Sequence, residues 1–281
     1  MDFLFDAFEP AFMQRALVGS LIAVAATSLV GTWVVLRGLA FLGDALAHGV
    51  IPGIALAVLW GFNPIVGAFV AALLMSGLVS VVSSRTVVRE ETAIGLLFVG
   101  MLSLGIVIVS KAQSFSTEVT ALLFGDVLGV TVDDIRNQTI ATVIVAAASM
   151  LLYRPLLALT FNRTKAQTLG MRPNLAHAAL LAMLAMSIVA SFQAIGTLLV
   201  FGLLVGPPAT ASLLARRIPL IALVSIVLGS VCVVAGLVVS FHYGTAGGAT
   251  IAGFSVLQFF VVLIGHEVIS AHRARTQMIV N

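Results

Sequence analysis

Long stretches without a formal charge constrain the fold of this chain more than any other feature. Residues 16–36, 64–84 and 92–110 contain no Asp, Glu, Lys or Arg, and residues 38–62 contain only Asp44. A helix that crosses a bilayer needs about 20 consecutive, mostly apolar residues, because its backbone polar groups must be satisfied within the segment. These stretches therefore predict the first four membrane spans.

The second half of the chain continues this pattern. Residues 138–153 predict a shorter fifth span, and the uncharged stretch 173–215 is long enough for two spans that separate near Ser191–Gly196. The last uncharged stretch, 218–265, divides at the turn residues HYGTAGG, which lie between two further helices. Counting these segments gives eight or nine crossings.

Composition supports the same fold class. Hydrophobic residues make up 60% of the chain and charged residues only 9%, whereas soluble domains carry about 25% charged residues. We expect an all-α, polytopic integral membrane protein with eight or nine transmembrane helices. We expect residues 1–281 to form a single transmembrane domain whose spans lie within 11–265. The lone Cys232 excludes a cysteine-based metal cluster.

The distribution of basic residues predicts the orientation. Lys and Arg cluster at 85–89, 154–172, 216–217 and 273–275, which all lie on one side of the membrane when the spans are counted. The positive-inside tendency makes that side cytoplasmic and leaves 111–137 as an acidic extracytoplasmic segment. The net charge of +3 is small and its cations sit at span ends, so nucleic-acid binding is not expected.

Asp44 and His48 are the residues whose chemistry is least expected in a membrane-spanning helix. Asp44 is the only acidic residue between Arg15 and Arg85, and an intramembrane carboxylate is costly and functional by default. His48 follows four residues later and therefore shares its helical face. Together they offer an oxygen and a nitrogen ligand, which suit zinc, manganese or ferrous iron. A proton relay or a buried structural pair would use the same residues.

Four stretches resemble the metal-importing permeases of ABC transporters, the family that includes bacterial zinc and manganese uptake systems. The run FLGDALAHGVIPGIAL (41–56) resembles the signature of that family. The other stretches follow in the same order as in the family: WVVLRGLAFLGD (33–44), EETAIGLLFVGMLSLGIVIVS (90–110) with LLFGDVLGV (122–130), and GTLLVFGLLVGPPATASLLARR (196–217).

The resemblance implies a homodimeric permease in the bacterial plasma membrane, with no permanently bound cofactor and with Zn²⁺ or Mn²⁺ as its transported ion. An extracytoplasmic metal-binding protein would deliver the ion and a cytoplasmic ABC ATPase dimer would drive transport. Asp44 and His48 match the acidic and histidine positions that the family associates with its metal path. Pro208 and the loop GTAGGAT (244–250) depart from the pattern of the family.

Residues 161–174 predict a short cytoplasmic helix, with Ala166 and Leu169 as its apolar edge and Gly170 as its stop. This segment resembles the family's coupling helix and would dock on the ATPase. The chain contains no GxxxxGK[ST] motif, the loop that holds nucleotide phosphates. We therefore expect no enzyme activity in the chain itself and ATP hydrolysis on a separate subunit.

Small residues and prolines mark the seventh span. Gly196, Gly202 and Gly206 allow close helix contacts, and Pro207 and Pro208 remove two helix donors. These five residues are candidates for a hinge, a pore lining or tight packing.

The other histidines and acids are weaker candidates. His242 at the outer end of a span, and His266 with Glu267 at the inner end of the last one, are secondary positions on a metal path. His177 is expected at the membrane interface, and Glu90 is expected at a solvated helix start.

Two alternative functions remain open from the sequence. A proton-coupled secondary metal transporter would use Asp44 and His48 as a relay and would need no ATPase. An ABC permease for siderophore, haem or cobalamin would need a wide cavity without a paired ligand. Both alternatives share the polytopic helical fold.

Overall fold

The fold is helical throughout the part of the chain that the structure, a computed structural model, describes: residues 6–85, 89–111, 127–161, 167 and 171–280. The helices are α1 Ala11–Leu36, α2 Ala40–Gly49, α3 Ile51–Trp60, α4 Pro64–Arg85, α5 Glu90–Lys111, α6 Val132–Leu151, α7 Tyr153–Phe161, α8 Pro173–Ile195, α9 Thr197–Leu214, α10 Ile218–Tyr243 and α11 Gly247–Val280. Two short 3₁₀ helices cover Asp6–Phe8 and Val127–Gly129.

Eight helical segments in this described part are long and apolar enough to cross a membrane, and the bent pair α6–α7 makes nine. The segment Ala40–Trp60, which contains α2 and α3, counts as one of the eight. The prediction of an all-α, polytopic membrane protein with eight or nine spans is confirmed. The predicted breaks near Ser191–Gly196 and within HYGTAGG also match, since α8 gives way to α9 at Gly196 and α10 ends at Tyr243.

Helix α6 begins earlier than the sequence predicted, at Val132 instead of residue 138. Thr131 caps it: its hydroxyl accepts from the Asp134 amide at 3.2 Å, and an Asp134 carboxylate oxygen accepts from the Thr131 amide at 3.0 Å. This capping box satisfies amides that a helix end otherwise leaves open, so the polar residues before the apolar run become helical. The chain then bends by 67° into α7, where Pro155 cannot donate to the Leu151 carbonyl.

The second span is one helical segment, Ala40–Trp60, with a local break in its hydrogen bonding at Val50, whose backbone stays in the α-helical region. Helix α2 ends at Gly49 and α3 begins at Ile51, with Val50 between them. Pro52 explains the break, because it has no amide to donate to the carbonyl of His48. His48 therefore lies in the last turn of α2, beside a discontinuity within the span.

Helix α9, in contrast, is not interrupted by its prolines. It runs from Thr197 to Leu214 through Pro207 and Pro208. Pro208 leaves the Leu204 carbonyl without its usual helical donor, and this oxygen faces Gly31 of α1 so closely that a Cβ on Gly31 would overlap it. The proline thus accompanies a close packing of α1 on α9 instead of a break.

The same helix packs tightly on α11 through small residues. A Cβ on Gly206 would overlap the hydroxyl of Ser255, and a Cβ on Gly202 would lie 3.0 Å from the Ala252 Cβ. The Ser255 hydroxyl also donates to the Gly202 carbonyl at 3.0 Å. At Gly196 the backbone has φ of 79°, a conformation that favours glycine. These contacts show what the glycines do in the fold.

Burial divides the helices into an inner and an outer group. In the most apolar stretch of α1, 67% of the residues are buried, whereas the corresponding value for α5 is 17%. Large apolar side chains of α5 such as Leu96 and Val107 are exposed. Helix α1 therefore lies in the centre of the bundle, and α5 presents an apolar surface to lipid or to another protein.

Candidate metal pathway

Asp44 and His48 form a carboxylate–imidazole pair on α2. Nε2 of His48 lies 3.6 Å from Oδ1 of Asp44, as their spacing of one helical turn allows. Both side chains are partly accessible, with 32% of Asp44 and 28% of His48 exposed. The pair is therefore neither sealed in the core nor free in solvent, and its oxygen and nitrogen atoms are available to a ligand.

The sequence of α2 explains why this pair faces outward. Leu42, Ala45 and Leu46 are fully buried against the bundle, and a Cβ on Gly43 would overlap the side chain of Leu204 on α9. Residues at positions i, i+3 and i+7 share a helical face, so Phe41 lies on the face that Asp44 and His48 occupy. Phe41 is 46% exposed. One face of α2 thus anchors the helix and the other carries the pair.

Phe98 of α5 lies beside the pair. Its ring centroid is 6.0 Å from the His48 ring and 5.9 Å from the Phe41 ring, and both contacts are edge-to-face. Such aromatic contacts restrict the orientation of a ring. Helix α5 therefore helps to position the imidazole of His48 relative to Asp44.

Two donor groups are fewer than a stable protein metal site uses. In the described part of the chain, no third His, Cys, Asp or Glu joins Asp44 and His48 to form a metal-binding group. The partly exposed face that carries the pair remains open to further ligands. Chemically, this arrangement offers one oxygen and one nitrogen donor.

The weaker candidates lie apart from this pair in the fold. His242 ends α10, where its Nδ1 is 2.9 Å from the Val238 carbonyl and its ring contacts Phe241. His266 and Glu267 are exposed neighbours on α11. The predicted coupling residues Ala166, Leu169 and Gly170 lie outside the described residues. Their assignments remain predictions.

One polar cluster was missed by the sequence reasoning. His177 is only 4% exposed, although it lies near the start of a span. Its Nδ1 lies 2.9 Å from Nη1 of Arg37, and its Nε2 lies 3.2 Å from Oε1 of Glu90. Glu90 turns towards this histidine, whereas the neighbouring Glu91 is the solvated acid, 67% exposed and 3.5 Å from Arg89.

The position of this cluster also helps to count how often the chain crosses the membrane. It brings the start of α5 and the start of α8 to the same end of the bundle, since Glu90 and His177 are in contact. Helix α5 crosses once, so the chain between α5 and α8 must cross back. Helix α6 is the segment of sufficient length and apolarity in that region, which favours nine spans.

The helices that cross the membrane form a bundle, and one of them carries a carboxylate–imidazole pair on an accessible face. This is the architecture of a polytopic transport protein. The model of the ABC 3 transport family matches residues 9–266. The chain belongs to this family and is a multi-pass membrane permease.

Relatives and a solved structure extend the comparison. The chain is 33% identical to the manganese import system permease protein ScaB of Streptococcus gordonii, over 92% of this chain and 93% of that protein. It is 31% identical to a probable iron transport system membrane protein of Haemophilus influenzae, over 95% and 97%. The structure of PsaBC from Streptococcus pneumoniae in complex with Fab matches with a TM-score of 0.82 at 28% identity, covering 93% of this chain and 94% of that chain.

Proposed function

We propose that this permease is the membrane-spanning subunit of an ATP-driven importer of divalent transition-metal ions, and that Asp44 and His48 line the metal path. The observation that carries the proposal is the carboxylate and the imidazole 3.6 Å apart on the accessible face of an apolar helix. An intramembrane charge of this kind is rare where it has no function.

Ligand chemistry limits the choice of cargo. A carboxylate with an imidazole suits Mn²⁺, Fe²⁺ or Zn²⁺, whereas Mg²⁺ and Ca²⁺ prefer all-oxygen sites and Cu⁺ prefers sulfur. The relatives named above are a manganese import system permease protein and a probable iron transport system membrane protein. Manganese is therefore the first cargo to test, and ferrous iron and zinc share the same ligands.

A second copy of the chain would complete the site. If α2 of each copy faces a two-fold axis, two Asp44 carboxylates and two His48 imidazoles supply four ligands around one path. Each copy alone binds weakly, and a conduit must also release the ion that it binds. A homodimer thus reconciles the two-ligand site with metal transport.

Cross-linking tests this arrangement. In a Cys232→Ala background, we expect Phe41→Cys to be linked between two copies by a short bismaleimide, because Phe41 is 46% exposed on the Asp44–His48 face. Leu223→Cys on α10 is the control, since Leu223 is also exposed, at 61%, but belongs to another helix. Gel analysis of membranes should give dimers for the first variant only. Linking at Leu223 but not at Phe41 would place the axis elsewhere.

The remaining partners follow from the family. An ABC ATPase dimer would dock at residues 161–174 on the cytoplasmic side, with Ala166, Leu169 and Gly170 in the contact, and an extracytoplasmic binding protein would deliver the ion. The bacterial plasma membrane is the corresponding location. In this proposal, the permease forms the path and hydrolyses no ATP.

The dependence on ATP tests the function directly. In proteoliposomes with its cognate ATPase and binding protein, we expect the permease to accumulate radiolabelled Mn²⁺ only with ATP. Accumulation should persist with an uncoupler, because no proton gradient is needed. Accumulation that requires a proton gradient and survives removal of the ATPase would instead indicate a secondary transporter.

A further inference from the structure

The cluster of Arg37, His177 and Glu90, of which only His177 is buried, joins three helix ends that are far apart in sequence. Arg37 directly follows α1, Glu90 is the first residue of α5, and His177 lies in the second turn of α8. The two contacts around the imidazole are 2.9 Å and 3.2 Å long. Neither Asp44 nor His48 takes part in these two contacts, so the cluster is separate from the metal pair.

The chemistry of the partners defines how the histidine is held. The guanidinium of Arg37 can only donate, so Nδ1 of His177 must accept. The Glu90 carboxylate is anionic, and its Oε1 lies 3.2 Å from Nε2 of His177 without forming an aligned hydrogen bond. With Nδ1 accepting, a neutral imidazole carries its proton on Nε2, the nitrogen that lies beside the Glu90 carboxylate. The buried ring therefore lies between a cation and an anion, both of which are partly accessible.

Helix α1 contacts residues that come before the connection between α7 and α8 and residues that come after it. Before the connection, the Trp33 indole donates to the Ser149 hydroxyl at 3.2 Å and its ring packs on Tyr153, the first residue of α7, at 5.7 Å. After the connection, Arg37 contacts His177 on α8. The last turn of α1 thus holds both flanks of the stretch that would dock on the ATPase.

Two short routes lead from this cluster to the metal pair. Three residues, Arg37–Leu39, separate α1 from α2, and Asp44 lies in the second turn of α2. From Glu90, α5 runs two turns to Phe98, whose ring contacts His48. A shift of the cluster therefore moves both the start of α2 and the aromatic contact that positions the imidazole.

We propose that the Arg37–His177–Glu90 bridge couples movement of the ATPase-facing side of the permease to the Asp44–His48 site. This inference rests on the proposed function. The three residues are positioning residues that do not touch the metal. Their role is to make α1, α5 and α8 move together, so that ATP hydrolysis changes the metal path instead of being lost in independent helix motions.

The test measures Mn²⁺ transported per ATP hydrolysed by the complete transporter in proteoliposomes. We expect His177→Leu to remove both bridging contacts and to lower this ratio by about tenfold, while ATP hydrolysis continues. His177→Gln should restore the ratio, because its amide offers one acceptor and one donor to the same partners. A merely structural role would reduce hydrolysis and transport together and leave the ratio unchanged, which would overturn the inference.

Further variants keep the test informative if His177→Leu does not fold. Arg37→Met removes the donor from a partly exposed position and should also lower the ratio. Arg89→Met is the matched control, because Arg89 is 82% exposed and pairs with Glu91 outside the bridge. An equal ratio for Arg37→Met and Arg89→Met would contradict the inference. The wild-type transporter separates the two proposals: absence of ATP-dependent Mn²⁺ uptake would reject the proposed function itself.

Discussion

Asp44→Asn and His48→Ala are each expected to lower metal uptake at least about 100-fold, since even residues that only support a metal ligand alter affinity or activity by 10–100-fold. Asp44→Asn keeps the shape of the side chain and removes the negative charge, so the metal loses an anionic ligand. His48→Ala removes the nitrogen ligand. In a two-fold dimer, each substitution deletes two of four ligands. Initial rates of radiolabelled Mn²⁺ uptake with ATP measure the effect.

Matched controls separate this effect from general damage to the protein. Asp133→Asn makes the same chemical change at a carboxylate that is 81% exposed at the start of α6, and it should leave uptake near the wild-type rate. His242→Ala tests whether the histidine at the end of α10 belongs to the path. Assembly with the ATPase and ATP hydrolysis should survive in both site variants. Wild-type uptake by Asp44→Asn and His48→Ala would remove the pair from the metal path.

Asp44 and His48 were identifiable from the sequence because their signal is local. A charged residue in an otherwise apolar span is conspicuous, and a spacing of four residues puts two side chains on one helical face without knowledge of the remaining fold. The structure adds the 3.6 Å separation and the partial exposure of the pair. Phe98, which lies on another helix, had no signal that linked it to His48.

The spans were predictable for a similar reason. Absence of charge over about 20 residues is a local property, and glycine at Gly196 or Gly244 marks where helices end. The local break at Val50 was not predicted, although Pro52 leaves the His48 carbonyl without its donor. Pro207 and Pro208 show the limit of such reading, because the surrounding helices preserve α9 as one helix.

The Arg37–His177–Glu90 bridge was not predictable from one sequence. Arg37 and His177 are 140 residues apart, and each residue alone has an ordinary explanation at the end of a span. Only the packing of α1, α5 and α8 brings them together. The start of α6 at Val132 was missed because the capping box of Thr131 and Asp134 lies within a polar stretch that had been read as an extracytoplasmic segment.

Gly67→Ala is expected to destabilise the permease by about 1–3 kcal/mol, the usual cost of an added methyl group where there is no space for it. Helices α3 and α4 touch through their backbones: a Cβ on Gly67 would overlap the carbonyl oxygen of Gly53 and would lie 2.7 Å from the Ala57 Cβ. Small residues at such positions are how membrane helices approach closely. The midpoint of thermal denaturation in detergent measures the change.

Gly77→Ala on the same helix is the control, because no heavy atom lies within 4 Å of its added Cβ. The midpoint should be unchanged or slightly higher, since alanine is the better helix former.

Adding Ala57→Gly to Gly67→Ala distinguishes the two contacts. It removes the side-chain overlap but leaves the Gly53 carbonyl, so we expect little recovery of stability. Full recovery would mean that Ala57 is the limiting contact. Because α3 continues from α2 across Val50, separating α3 from α4 should also displace His48 and reduce uptake.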